Sequence, residues 1–234
     1  MGFSDTRLRG YAEYTLMEEW EPVLIPDGVS DEAAALCEPC AIAVHAVRLS
    51  DLRPGDSMAV IGAGPIGLLC LQVAKHFGAG LTVVSEPSAV RSKAALKTGA
   101  DYVINPLDEK LESRVVSLTD GEGPKIVFEC AAADSTLDQA LNLVRRFGQV
   151  VLVAIAWEPT SVLPVDWMAR EVKLQASFSS TTDDWRTALE LIRTGDVKIE
   201  PLLSKADFIS LDEIQSAFEA LIKPSNQLQV VVKL

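Results

Sequence analysis

From Ser57 onward the chain alternates short apolar runs with longer stretches in which apolar residues recur every three or four positions. The short runs are Ser57–Ile61, Leu81–Ser85, Tyr102–Ile104, Ile126–Glu129, Val150–Ala154 and Val172–Phe178. They are rich in Val and Ile, as strands are. Helical patterns separate the first five. Between Pro65 and Phe77, the residues Ile66, Leu69, Cys70, Val73 and Phe77 form one apolar stripe, while Gln72, Lys75 and His76 fall on the other side. Buried strands alternating with helices predict an α/β fold whose parallel sheet is covered on both faces. Six strands in two halves predict a doubly wound, dinucleotide-binding (Rossmann) sheet.

The flanks break this alternation. Tyr11–Leu16 alternates in the manner of a strand, and Pro22, Pro26 and Gly28 mark a loop. Ser30, followed by Asp31 and Glu32, caps a helix. Pro39 should interrupt that helix and open the next one, Pro39–Leu49. Further on, Trp185, Ala188, Leu189 and Ile192 form a stripe that stops at Gly195. Ser210-Leu211-Asp212-Glu213 reads as a capping box opening a helix with Leu211, Ile214, Phe218 and Leu221 inward. A strand over Leu228–Leu234 closes the chain. These flanks read as pieces of a second structural unit.

Composition narrows the class. With 234 residues, 48% hydrophobic and 23% charged, the chain is a soluble globular protein of one large or two modest domains. A net charge of −12 and a pI near 4.6 argue against nucleic acid and anionic membrane as partners. The most apolar stretch, Met58–Leu71, is cut by three Gly and one Pro and is too short to span a bilayer. The first residues lack the pattern of a signal peptide. Four cysteines do not make a disulfide framework, so a reducing, cytoplasmic setting is expected.

The candidate chemistry begins at Gly62-Ala63-Gly64-Pro65-Ile66-Gly67, a G-x-G-x-x-G that directly follows the strand Met58–Ile61 and opens a helix. Gly62 permits the tight turn, Gly64 lets the backbone approach a pyrophosphate, and Gly67 lets helix and strand pack closely. The helix start offers free N–H groups to phosphate. The second strand ends at Glu86, 24 residues after Gly62, where a carboxylate accepts hydrogen bonds from the adenosine ribose hydroxyls. A 2′-phosphate would set like charge against Glu86, so NAD is favoured over NADP. Arg91 either pairs with Glu86, reaches a phosphate, or is a solvated helix residue.

With these residues in hand, the chain resembles the medium-chain, zinc-containing alcohol and polyol dehydrogenases. The matching stretches are Gly10–Tyr14, Glu38-Pro39 with His45-Ala46-Val47, Pro54-Gly55-Asp56, Val60–Leu68, Val84–Ser88, Lys97–Asp101 and Phe128–Ala131. Within that family the chain is most similar to the sorbitol, butanediol and threonine dehydrogenase branch. The resemblance implies oxidation of a small secondary alcohol or polyol by hydride transfer to NAD, with zinc polarising the alcohol oxygen. It implies a cofactor path past Cys130, Val153-Ala154-Ile155 and Ser177-Phe178-Ser179. Ala132 and Ala154 stand where the family usually has Gly. In that branch zinc is held by a Cys, a His-Glu pair and the Glu of Glu-Pro, and Glu38 alone has a counterpart here. The resemblance therefore implies an upstream segment of roughly a hundred residues, a chain that is N-terminally incomplete, and zinc held by the full-length family but not by this chain. It implies an NAD domain at 39–178, with 1–38 and 179–234 as remnants of a GroES-like catalytic domain. It also implies homo-oligomers joined through the edge strand near Val172–Phe178. Two rival readings stand beside it: a non-catalytic NAD(H)-binding or interaction module, and a zinc-free quinone-reductase-like reductase, against which Glu38-Pro39 argues.

Other candidates have plain structural readings. Glu38 precedes Pro39 and can simply serve the helix start. Cys37 and Cys40 spell C-x-x-C, but without a second pair they read as small buried hydrophobes, and Cys70 and Cys130 by pattern look structural as well. Neither His45 nor His76 is paired in sequence with a nucleophile or acid, so no hydrolase triad is expected. Trp185, Phe178 and Phe218 read as core.

Overall fold

Six of the apolar runs pair as parallel strands: β1 (Met58–Ile61), β2 (Thr82–Ser85), β3 (Tyr102–Ile104), β4 (Ile126–Glu129), β5 (Gln149–Leu152) and β6 (Lys173–Ala176). Their order is β3-β2-β1-β4-β5-β6, the doubly wound arrangement expected above. The computed structural model describes residues 10–222 and 227–234. Strand side chains alternate between two cores. Met58 and Val60 face one, with Phe128 and Val151; Ala59 and Ile61 face the other, with Val127 and Val150. β1, β2 and β4 are buried at every position. That is why they read as unbroken apolar runs rather than alternating ones.

Helices α1 (Asp31–Ala34), α2 (Cys37–Arg48), α3 (Pro65–His76), α4 (Ala89–Lys97), α5 (Leu111–Leu118), α6 (Thr136–Leu143), α7 (Pro164–Met168), α8 (Thr182–Thr194) and α9 (Ile214–Leu221) complete the chain, with a small parallel pair β7 (Phe208–Ile209) and β8 (Val231–Val232). α2, α3 and α8 cover the first core, through Cys40, Val44, Leu68, Leu71, Leu189 and Ile192. α5 and α6 cover the second, through Val115, Ala140 and Leu141.

Some expectations change. The break between the first two helices falls at Ala35 and Leu36, and α2 already starts at Cys37. Pro39 then lies in the first turn, where no intrahelical bond needs its missing N–H. Tyr11–Leu16 is not a strand; it is irregular and exposed, and among the described residues no neighbouring strand supplies a ladder. The Ser210 box forms, with Glu213 reaching back to the Ser210 N–H at 2.8 Å. Phe218 and Leu221 nevertheless face outward, and Tyr11 meets Phe218 edge-on at 5.8 Å.

α8 is tied to α2 by a buried carboxylate. Asp184 accepts from the Thr181 N–H at 2.8 Å, completing a capping box, from Arg48 Nη1 at 2.6 Å, and is 2.9 Å from His45 Nδ1. His45 thus has an acid partner in space that sequence adjacency did not reveal.

Candidate active site

The register of the sheet places the site. Ile61, the last residue of β1, lies beside Ser85 of β2 and Glu129 of β4. Glu129 lies beside Leu152 of β5, and Leu152 beside Ala176 of β6. One residue further along each strand, the row reads Glu86, Gly62, Cys130, Val153 and Ser177. The predicted cofactor residues therefore gather on the carboxyl edge of the sheet. They straddle the point between β1 and β4 where the winding reverses, which is where open α/β sheets bind ligands.

The phosphate loop follows from two glycines. Gly62 has φ +92°, and a Cβ there would lie 2.9 Å from the Cβ of Ala131. Gly67 lets α3 rest on the loop, since its Cβ would fall 1.9 Å from the Gly62 carbonyl oxygen. Gly64 faces open space, so the backbone can be approached there. Pro65 occupies the first position of α3. The Ile66 and Gly67 amides lie in the first turn, where N–H groups have no helical partner and favour an anion.

Glu86 closes the other side of this cradle. It is buried, yet among the described residues its carboxylate is held only by main-chain donors: Ala63 N–H to Oε2 and Ser88 N–H to Oε1, each at 2.8 Å. A carboxylate has about four lone-pair sites, so capacity for hydroxyl donors remains. Arg91, half-buried on α4, forms no ion pair with Glu86.

At the other end, Glu129, Ala132, Val153, Ala154, Ser177 and Phe178 help line a cavity of about 380 Å³. Ile155 lines it as well, and Ser179 follows directly with φ +64°. The Ser177 hydroxyl is buried without a hydrogen-bond partner among the described residues. Ala132 has φ +52°, a left-handed backbone that glycine adopts more readily than alanine. Phe178 is 64% exposed, so its reading as core is corrected. Trp185, by contrast, packs at the margin of the first core, its Nε1 donating to Ser180 Oγ at 3.1 Å.

Glu129 went unremarked in the sequence as a site residue. The available signal was a charged residue ending the buried run Ile126-Val127-Phe128. Its main-chain carbonyl accepts from Val153 and Ala154, and its carboxylate from Ala131 and Ala132.

The metal donors do not assemble. Among the described residues no three His, Cys, Asp or Glu side chains gather to hold an ion. Glu38 is exposed in the first turn of α2. Burial pushes the Cys37 thiol up to about 12 and that of Cys40 higher still. Contact with the Cys70 thiol, then burial, raises Cys130 as well. His76 sits at the surface beside Asp196, 3.4 Å away.

A family profile described as zinc-binding dehydrogenase matches residues 65–194. Sorbitol dehydrogenase of Bacillus subtilis is 31% identical over 224 residues, covering 95% of this chain and 63% of that protein. The crystal structure of 2R,3R-butanediol dehydrogenase from Bacillus subtilis is 32% identical with a TM-score of 0.82, covering 90% of this chain and 60% of that one. A structure described as a zinc-binding dehydrogenase from Sinorhizobium meliloti, bound to NADP, is 30% identical with a TM-score of 0.84, covering 95% of this chain and 65% of that one. The chain thus spans about three-fifths of the length of these relatives.

Proposed function

The chain belongs to the zinc-binding dehydrogenase family, and on that premise we propose that it forms the NAD-binding part of an enzyme oxidising a small secondary alcohol or polyol. The buried Glu86 carboxylate beside the glycine cradle carries this reading. Gly62–Gly67 would hold the pyrophosphate, Glu86 the adenosine ribose hydroxyls, and the cavity beyond β4 to β6 the nicotinamide. When bound, the dinucleotide supplies the hydride acceptor. The chain's own residues position it: α3 presents N–H groups, Glu86 fixes the loop and refuses a 2′-phosphate, and Val153 and Ala154 shape the far wall. The donor set does not fit zinc, and no step is assigned through it. In this reading 39–178 is the cofactor unit, the flanks belong to a catalytic unit, and the protein works in the cytoplasm.

Titration by NADH fluorescence tests the cofactor choice. NADH should bind clearly more tightly than NADPH. Losing charge-assisted hydrogen bonds of ~1.5–3 kcal/mol, Glu86→Ala should weaken NADH about tenfold or more. Equal affinity of the native chain for the two cofactors would defeat the assignment.

Assembly follows from the edge. Among the described residues β6 pairs with β5 alone, and Leu174, Val165, Met168 and Phe178 are exposed around it. An open edge with apolar neighbours favours pairing with a second copy. Light scattering should report twice the 25.2 kDa chain mass; a monomer at high concentration counts against this.

A further inference from the structure

We propose that Glu129 is a positioning residue that shapes the nicotinamide end of the cofactor site, an inference that rests on the cofactor reading above. One residue here serves both walls of the cavity. Its carboxylate Oε1 accepts from the Ala131 and Ala132 N–H groups, each at 2.9 Å. Its main-chain carbonyl accepts from the Val153 and Ala154 N–H groups, each at 3.0 Å. The loop after β4 and the loop after β5 are thereby registered on a single residue. Thr160 Oγ1, donating to the Asp134 carbonyl at 3.0 Å, joins the same two loops further out.

Two observations separate this from ordinary packing. Glu129 is 1% exposed, and among the described residues no Lys, Arg or His pairs with it. A buried carboxylate without a counter-charge is costly, and a leucine would fill the space more cheaply. In addition, the amide it holds belongs to Ala132, whose φ of +52° is unfavourable for a residue with a Cβ. The carboxylate holds a backbone conformation that the sequence there does not favour by itself, beside the cavity that Ser177 also lines.

The test compares NADH with ADP-ribose, which shares the adenosine and pyrophosphate but lacks the nicotinamide. In Glu129→Ala, ADP-ribose affinity should stay within about twofold of the native chain. NADH should weaken about tenfold, toward the ADP-ribose value. Glu129→Gln keeps an oxygen acceptor for both amides and should retain NADH within about threefold. Adding Ala132→Gly to Glu129→Ala should recover NADH binding, because glycine adopts the left-handed backbone without help. That double variant carries the comparison if the single alanine variant does not fold. Equal weakening of both ligands, or no recovery by either the Gln or the glycine variant, overturns the positioning role. A native chain that binds neither ligand overturns the cofactor reading itself, and this role with it.

Discussion

Gly67→Ala is expected to abolish NADH binding and to lower the melting temperature by roughly 6–12 °C. The added Cβ would stand 1.9 Å from the Gly62 carbonyl oxygen and 3.2 Å from Val60 Cγ1. Neither neighbour can yield easily. Gly62 is pinned between β1 and the Ala131 methyl, and Val60 is fully buried in the first core. Overpacking of this kind costs about 1–3 kcal/mol and sometimes more. At the upper end, for a chain of this size, that corresponds to the stated shift at ~2–4 °C per kcal/mol. Gly64→Ala is the contrast. Its Cβ meets nothing within 4 Å, so the fold should be unaffected while a methyl enters the phosphate cradle. Circular dichroism melts beside NADH titrations separate the two effects. A Gly67→Ala protein that melts with the native chain would show that helix and loop are not in the contact described.

Asp184→Ala should destabilise the chain by about 2–4 kcal/mol in urea unfolding at neutral pH. The substitution removes the N3 half of the α8 capping box, the bond to the Thr181 N–H, and leaves the Thr181 side-chain cap in place. It also removes charge-assisted bonds of ~1.5–3 kcal/mol from Arg48 and His45. The sum is discounted because Arg48 is 38% exposed and can return to water. The same carboxylate sets a pH dependence. Burial acts to raise its pKa, but bonds from the Thr181 N–H and hydroxyl, from Arg48 and from His45 outweigh burial and hold it below the usual 3.8. A carboxyl depressed in the folded state stabilises above its unfolded pKa of about 3.9 and loses that contribution as pH falls through the folded value. The native chain should therefore weaken below about pH 4, and Asp184→Asn should show a shallower loss there. Identical acid limbs for the two proteins would remove Asp184 from the account.

The strands were legible because residues buried on both faces leave no alternation to confuse, as in Met58-Ala59-Val60-Ile61. The glycine loop was legible because its spacing is imposed by close backbone approach, which glycine alone permits. Register then brought Glu86, Cys130, Val153 and Ser177 into one row, although they are scattered over nearly a hundred residues of chain. What the sequence hid was tertiary. Alternation at Tyr11–Leu16 says which side is apolar but not whether a partner strand exists. Phe178 and Phe218 look like core by type, and only the packing around them shows that they are exposed. Glu129 and Asp184 look like surface carboxylates until the amides and cations that hold them are seen, and Asp184 draws two of its partners from 136 and 139 residues away.

That last separation bears on how the chain emerges during synthesis. α2 is made well before α8, and its inward face finds part of its cover on α3. The remainder is α8, whose first residue follows the last of α2 by well over a hundred positions. At typical elongation rates of about 5–20 residues per second, roughly 7–30 seconds pass before α8 leaves the ribosome. Through that interval Arg48 and His45 wait without their carboxylate, and one flank of α2 stays open to chaperones or to misassociation. The closing of α8 onto α2 thus comes well after α2 itself is made, and it joins two helices that lie on either side of the whole six-stranded sheet in the sequence.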